Sequence, residues 1–138
     1  MNNSDTIIVT GGAGYIGSHT IIELLEQTDY RVISLDNYSN STEDTYRRID
    51  EITGKGNRLA WFNVDLCNKE ELTHTLKQTN SIQGIIHFAA FKSVPESVAD
   101  PLLYYHNNME SLVNILYLCR EKKIRNFIFS SSCSVYGN

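Results

Sequence analysis

The sequence contains the stretch Thr10-Gly11-Gly12-Ala13-Gly14-Tyr15-Ile16-Gly17, which lies between two regular elements. Residues 6–9 come before it and are all β-branched, which is typical of a buried parallel strand. Residues 18–26 follow it and have the pattern of the first turns of a helix. The glycines therefore lie where a strand passes into a helix, and the part from Gly12 to Gly17 fits the pattern G-x-G-x-x-G.

Each glycine of this pattern has a physical role. One allows a tight turn, one lets a diphosphate approach the backbone, and one lets the helix pack closely against the strand. The N–H groups at the start of the helix face the phosphates, and the helix dipole adds to the attraction. Because an ordinary glycine turn can share the pattern, the prediction also needs an acidic residue about 20 residues further on.

Asp36 supplies that acid. It stands at the end of a second β-branched run, residues 31–35. A carboxylate at this place accepts hydrogen bonds from the adenosine ribose hydroxyls and repels a 2′-phosphate. No arginine directly follows Asp36 to reverse that preference. The sequence therefore predicts dinucleotide binding, with NAD favoured over NADP.

Composition sets further bounds. The chain has 138 residues, 41% hydrophobic and 20% charged, which fits one ordinary globular domain. Its net charge of −4 favours neither nucleic acid nor an anionic membrane as a partner. Cys67, Cys119 and Cys133 are widely spaced and the four histidines are scattered, so we expect no metal site and no disulfide framework. The chain starts with polar residues and has no apolar run long enough to span a membrane, so we expect a cytoplasmic protein.

Strand and helix patterns alternate along the rest of the chain. Further strands are predicted at residues 58–64, 84–88 and 126–130, and further helices at residues 42–53, from Asn68, and from Pro101 to about Lys122. This alternation predicts an α/β fold with a parallel sheet. Right-handed crossovers and a switch point at the glycine loop give the strand order 3-2-1-4-5.

The last of these helices carries a pronounced apolar stripe. Asp100 and Pro101 form its predicted start, since one caps the helix and the other lacks an N–H where none is needed. Apolar residues then recur at helical spacing at Leu102, Tyr105, Met109, Leu112, Val113 and Leu116. Such a stripe is typical of a core or of a subunit interface, so a homodimer formed through this helix is one expectation.

Several motifs taken together resemble the UDP-glucose 4-epimerases, a family of extended short-chain dehydrogenases/reductases. The resemblance is carried by Thr10–His19, by Asp36-Asn37 with Asn40-Ser41, by His87-Phe88-Ala89-Ala90-Phe91-Lys92, and by Phe127-Ile128-Phe129-Ser130-Ser131-Ser132 with Val135-Tyr136-Gly137. It runs along the whole chain, whereas the glycine motif alone is typical of the wider superfamily. It implies a Rossmann-type, doubly wound parallel sheet that is truncated after its fifth strand.

The resemblance also implies roles for individual residues. Those at the NAD diphosphate are Gly11, Gly14, Tyr15, Ile16 and Gly17, and those at the adenosine ribose are Asp36, Asn37, Asn40 and Ser41. Asp65 and Leu66 border the adenine, and Phe88, Ala89, Ala90 and Lys92 line the middle of the cofactor. Asn107 supports the surrounding loops, Ser130 contacts the cofactor, and Ser132 is the active-site hydroxyl that meets the reacting oxygen of the UDP-sugar.

One part of the family pattern is missing from these residues. The family uses a Tyr-x-x-x-Lys pair, in which the lysine and NAD⁺ lower the pKa of the tyrosine so that it acts as a base. None of the eight tyrosines has a lysine at that spacing within the chain. In the family the pair lies on the helix after the fifth strand, beyond Asn138. We therefore expect residues 1–138 to be an incomplete NAD-binding domain, without the catalytic helix and the substrate domain, and inactive alone.

Other interpretations remain open. A related NAD-dependent sugar-nucleotide dehydratase or decarboxylase is one, although such dehydratases tend to have Thr-Asp-Glu where Ser132-Cys133-Ser134 stand. A non-catalytic dinucleotide-binding module is another, and it would bind NAD without turnover. A fragment with no function of its own is the third, and its last strand would be an unpaired sheet edge.

Overall fold

The structure is a computed structural model that describes residues 5–132, and it is built on one parallel sheet. Its strands are β1 (Thr6–Thr10), β2 (Arg31–Asp36), β3 (Leu59–Asn63), β4 (Ile82–His87) and β5 (Asn126–Phe129). They lie in the order β3-β2-β1-β4-β5, and every neighbouring pair is parallel. This confirms the predicted α/β class, the Rossmann-type sheet and its strand order.

Helices cover both faces of the sheet. They are α1 (Tyr15–Gln27), α2 (Asp44–Thr53), α3 (Lys69–Thr75), α4 (Val94–Ala99) and α5 (Pro101–Glu121), with a single 3-10 turn at Gly56–Arg58. The first helical layer, α1 and α2, packs on one face through residues such as Ile21 and Ile49. The second helical layer, α3 and α5, packs on the other face through residues such as Leu72 and Ile115.

Buried aromatic and polar groups fix the first helical layer on the sheet. Tyr46 of α2 is fully buried, and its hydroxyl hydrogen-bonds the Ser34 hydroxyl of β2 at 2.8 Å. Its ring stacks on Trp61 of β3 with 5.1 Å between the ring centroids, and the Trp61 Nε1–H donates to Glu43 at 2.7 Å. Burial raises the pKa of Tyr46 well above the ordinary tyrosine value, so this phenol stays protonated.

The predicted helix boundaries agree with local chemistry. The Asp100 side chain accepts from the Leu103 N–H at 3.0 Å, with Pro101 as the first residue of α5. The Asn68 side chain likewise accepts from the Glu71 N–H at 3.1 Å and caps α3. Sequence analysis missed α4, because this helix is short and contains a proline in its first turn.

The apolar stripe of α5 faces away from the sheet. Leu102, Tyr105 and Met109 are 77%, 69% and 55% exposed, and Val113 and Leu116 are also exposed. The inner face of α5 is formed instead by residues such as Ser111, Asn114, Ile115 and Leu118. The interpretation of the stripe as core is therefore wrong. Small and polar residues let α5 approach the loops of the sheet, and the larger apolar residues are left outside.

Among residues 5–132, no helix has the length and apolar character that crossing a membrane requires.

Candidate nucleotide-binding site

Three loops meet at the carboxyl ends of the central strands. The strand order reverses between β1 and β4, and ligands of such sheets bind at this switch point. The Gly11 N–H, just after β1, donates to the Leu35 carbonyl of β2 at 2.8 Å. The Phe88 N–H, just after β4, donates to the Thr10 carbonyl at 3.1 Å. The loops after β1, β2 and β4 are therefore held side by side.

The glycines of the loop after β1 divide into packed and open positions. A Cβ at Gly11, whose φ is +69°, would lie 2.8 Å from the Ala89 nitrogen. A Cβ at Gly12 would overlap the Ser34 hydroxyl, and one at Gly17 would overlap the Gly11 carbonyl oxygen. A Cβ at Gly14 would meet only the Gly11 oxygen, at 3.3 Å. Gly14 therefore borders open space at the helix start, where a diphosphate needs room.

The N-terminus of α1 is suited to an anion. The Ser18 N–H is the first that donates within the helix, to the Gly14 carbonyl at 2.9 Å. The N–H groups of Tyr15, Ile16 and Gly17 precede it and have no acceptor in the helix itself. The first turn itself carries no acidic residue, so no side chain of this turn competes with an anion for the positive end of the helix dipole.

Asp36 lies directly against the glycine loop. Its Oδ2 accepts from the Ala13 N–H at 3.0 Å. Its Oδ1 accepts from the Tyr38 N–H at 2.9 Å and from the Ser41 hydroxyl at 3.1 Å. The carboxylate is half-buried and bridges the loops after β1 and β2. The structure thus brings Asp36 and Ser41 together at the edge of the open space beside Gly14.

The loop after β2 exposes most of its remaining polar groups. Asn37 and Asn40 are exposed, and the Asn37 side chain accepts from the Ser39 N–H at 3.1 Å. Tyr38 has a φ of 57°, and within the described residues its buried hydroxyl has no hydrogen-bond partner. Burial, together with the negative charges of Glu43 and Asp36, raises the pKa of Tyr38.

The loop after β3 contains the two residues predicted to lie near the adenine, Asp65 and Leu66. Asp65 is exposed and accepts from the Cys67 N–H at 2.9 Å. The Leu66 side chain is 5% exposed and packs among the core residues under the second helical layer. The Leu66 carbonyl accepts from Asn114 of α5 at 2.9 Å. The Leu66 side chain therefore belongs to the core, and only its backbone is available to a ligand near this loop.

The segment after β4, residues 88–93, lies beside the glycine loop. The Ala89 N–H donates to the Thr10 hydroxyl at 3.3 Å, while Ala90 and Lys92 are exposed. Asn107 of α5 is half-buried, and its carbonyl oxygen lies 3.6 Å from the Cys67 sulfur. Asn107 thus contacts the loop after β3.

A buried histidine at the end of β4 joins this strand to β1. The His87 Nδ1 lies 2.8 Å from the Thr10 hydroxyl oxygen, and the two residues are register partners across β1 and β4. The His87 side chain also stacks on Phe129 with 6.0 Å between the ring centroids. Burial lowers the pKa of His87 to about 4, so the ring is neutral near pH 7. The signal in the sequence is a histidine at the last position of a strand, opposite a threonine.

The predicted serines lie at the same edge of the sheet. The Ser130 N–H donates to the His87 carbonyl at 3.1 Å, and both Ser130 and Ser132 are exposed just beyond β5. Cys133 and Tyr136 lie outside the described residues. Within residues 5–132, no group of three or more His, Cys, Asp or Glu residues is placed to hold a metal ion.

This geometry defines a doubly wound α/β domain of the Rossmann type, in which the glycine loop and the acidic residue stand as the dinucleotide-binding motif requires. The sequence of residues 7–138 matches the NAD dependent epimerase/dehydratase family. The chain belongs to that family.

Its similar proteins include UDP-glucose 4-epimerases. The enzyme of Bacillus subtilis is 45% identical over 131 residues, which cover 95% of this chain and 38% of that protein. The bifunctional protein GAL10 of Candida maltosa is 43% identical over 136 residues, which cover 99% of this chain and 87% of that protein. The crystal structure of the UDP-glucose 4-epimerase of Bifidobacterium longum in complex with NAD⁺ and UDP is 42% identical, with a TM-score of 0.88, and the match covers 96% of this chain and 38% of that one.

The chain thus spans about 38% of the length of several UDP-glucose 4-epimerases that it matches, and the match lies in their amino-terminal portion.

Proposed function

We propose that this chain is the NAD-binding part of a UDP-glucose 4-epimerase. The observation that carries the proposal is the Asp36 carboxylate, 3.0 Å from the Ala13 N–H of the glycine loop and beside the open position at Gly14. A diphosphate at the start of α1 and a ribose at Asp36 are adjacent parts of one dinucleotide. The relatives that carry this name support the assignment of the reaction.

The proposed contacts follow the edge of the sheet. Gly11, Gly14, Tyr15, Ile16 and Gly17 hold the diphosphate, and Asp36, Asn37, Asn40 and Ser41 hold the adenosine ribose. Asp65 and Leu66 border the adenine, Phe88, Ala89, Ala90, Lys92 and Ser130 line the remainder of the cofactor, and Asn107 supports the loops.

The proposed chemistry is inversion at C4 of a UDP-sugar. NAD⁺ held at these residues would supply reversible hydride transfer at C4 of the sugar. Within this chain, Ser132 is the group proposed to hydrogen-bond the reacting oxygen. Because the 138 residues hold no Tyr-x-x-x-Lys pair to remove the hydroxyl proton, this polypeptide alone is expected to be inactive.

We also propose that the exposed stripe of α5 meets a second copy of the chain. Five of its six apolar residues are exposed in the isolated chain, and they lie along one face of a helix that spans Pro101–Glu121. An exposed apolar patch of this kind marks an interaction surface.

Calorimetric titration of the 138-residue chain with NAD tests cofactor binding. Saturable binding is expected, and Asp36→Ala should weaken it by about 1–3 kcal/mol because hydrogen-bonding groups of the ribose and of the loop lose their partner. Asp50→Ala is the matched control, since Asp50 also accepts from a backbone N–H, that of Gly56 at 2.7 Å, but at the far end of α2. An unchanged dissociation constant in Asp36→Ala would contradict the ribose contact.

Conversion of UDP-galactose to UDP-glucose tests the reaction. A preparation whose intact mass is 15.7 kDa should give none, because the proton-abstracting pair is missing from these residues. Turnover by such a preparation would overturn the expected inactivity. A Tyr-x-x-x-Lys codon pattern in the reading frame downstream of codon 138 would support the epimerase assignment.

A further inference from the structure

The segment after β4 is held by alternate residues. The Ala89 N–H donates to the Thr10 hydroxyl at 3.3 Å, and the Ser93 N–H donates to the Tyr104 hydroxyl at 3.0 Å. Between them, Phe91 is held by Asn108 of α5. Ala90, Lys92 and Ser93 are exposed, whereas Ala89 and Phe91 are half-buried. The segment is therefore anchored through the backbone N–H groups of every second residue, and Ala90 and Lys92 lie exposed between these anchors.

Asn108 makes the strongest of these attachments. Its Oδ1 accepts from the Phe91 N–H at 2.8 Å, and its Nδ2–H donates to the Phe91 carbonyl at 2.9 Å. Both backbone groups of one residue are thus satisfied by one side-chain amide, as a neighbouring strand would satisfy them. The Phe91 ring adds a contact to Tyr104, with 5.6 Å between the ring centroids.

The same amide also orients a neighbouring residue of α5. The Asn107 Nδ2–H donates to the Asn108 Oδ1 at 3.0 Å. Asn107 in turn contacts Cys67 in the loop after β3 through its carbonyl oxygen. Asn108 therefore connects two walls of the crevice, the segment after β4 and, through Asn107, the loop after β3.

We propose that Asn108 is a positioning residue, which holds residues 88–93 in the conformation that receives NAD before the cofactor arrives. This inference rests on the proposed binding of NAD. A wall that is ordered in advance loses less conformational freedom when the ligand binds, so the affinity is higher. Asn108 contributes through Phe91 and Asn107, and it needs no contact with the cofactor.

The substitution Asn108→Asp tests this role with almost no change in size. It keeps an acceptor for the Phe91 N–H but places a carboxylate oxygen against the Phe91 carbonyl, where an N–H now donates. We expect the NAD dissociation constant to rise at least tenfold. Hydrogen exchange at the Phe91 amide, measured without NAD, should be slow in the unchanged chain and should become much faster in the variant.

Asn126→Asp is the matched control. Asn126 also donates its Nδ2–H to a backbone carbonyl, that of Gln83 at 2.7 Å, but at the amino end of β5, away from the crevice. Its NAD dissociation constant should stay within about twofold of the unchanged chain, so a rise confined to Asn108→Asp separates positioning from a general loss of stability.

Three results would overturn the inference or its basis. If the unchanged chain binds NAD and Asn108→Asp binds it equally well, only the positioning role fails. If the Phe91 amide of the unchanged chain exchanges as fast as in an unfolded peptide, the wall is not ordered in advance and the role also fails; this measurement needs no variant. If the unchanged chain does not bind NAD, the proposed function fails, and the positioning role fails with it.

Discussion

The outer surfaces of α2 and α5, one helix from each helical layer, differ in chemistry. On α2, Arg47 forms ion pairs with Asp44 and Glu51, and Arg48 pairs with Asp44 as well, all on exposed side chains. On α5, the corresponding outer surface is apolar and includes Met109 and Val113. A surface of paired charges is well solvated by water. An apolar surface is stabilised only when another surface covers it and removes it from water.

This difference shows which outer surface of the domain is suited to water in the isolated chain. The first helical layer buries its aromatic residue Tyr46 and leaves charges outside. The second helical layer uses its inner face for loop contacts, such as those of Asn108 and Asn114, and leaves apolar side chains outside. We therefore expect a protein partner to bind on the side of the second helical layer.

The largest expected effect concerns self-association. Val113→Arg on α5 should weaken association of the chain by about 3 kcal/mol, roughly 100-fold, because it would bury an unpaired charge in the interface. Ile52→Arg is the control on α2, where the original residue is also exposed, and it should leave association unchanged. Sedimentation equilibrium measures both variants. If the unchanged chain stays monomeric at high concentration, the proposed self-association through the stripe of α5 is wrong.

The next effect concerns pH dependence, which should differ between the buried Thr10–His87 pair and the buried Ser34–Tyr46 pair. The pKa of His87 is about 4 in the folded chain and near 6.5 when unfolded, so the unfolded chain binds more protons between these values. The stabilisation from neutral His87 is fully present above about pH 6.5 and is lost as the pH falls towards 4, by up to about 3 kcal/mol. Urea unfolding of the unchanged chain and of His87→Asn, from pH 7 to pH 4, measures the difference.

His87→Asn keeps a polar atom near the position of Nδ1 but cannot titrate. The difference in unfolding free energy between the two chains should shrink steadily as the pH falls, because the carboxylates titrate in both and cancel. Parallel curves would show that His87 binds its proton equally well in the folded and unfolded chains, so that burial does not lower its pKa. The Ser34–Tyr46 pair under the first layer should show no such dependence in this range, since the pKa of Tyr46 is raised and the phenol stays neutral.

The smallest effect is a difference in stability between variants of two neighbouring tyrosines, Tyr46 of α2 and Tyr38 of the loop after β2. Tyr46→Phe removes the partner of the Ser34 hydroxyl and should cost about 1–2 kcal/mol of unfolding free energy. Tyr38→Phe removes a buried hydroxyl that has no partner among the described residues, so stability should stay equal or rise by up to about 1 kcal/mol. Urea unfolding at pH 7 distinguishes the two. Equal losses in both variants would mean that the Tyr38 hydroxyl is satisfied in solution.

Local patterns were sufficient for much of the fold. The β-branched runs, the glycine loop and the helix caps at Asn68 and Asp100 act through near neighbours, and the strand order follows from right-handed crossovers. The approach of Asp36 to the glycine loop follows from the same motif, because β1 and β2 are adjacent and parallel.

Contacts between distant residues were not accessible in the same way. The Thr10–His87 pair depends on the register of two strands, and the Asn108 clamp depends on how α5 lies over a loop. The apolar stripe of α5 was assigned in part to the core because hydrophobic periodicity records a common face but not what that face meets. Ser111 and Asn114 are buried on the inner face of α5 although they are polar, so they gave no apolar signal.

The stacking of Trp61 on Tyr46 has a practical consequence. The chain has one tryptophan, and it lies in β3 against the first helical layer. Its fluorescence therefore reports selectively on the opening of that layer, so the melting of the opposite side would leave the emission unchanged until the sheet itself comes apart. A pairing of tryptophan emission with far-ultraviolet circular dichroism would show whether the two sides unfold together or in sequence.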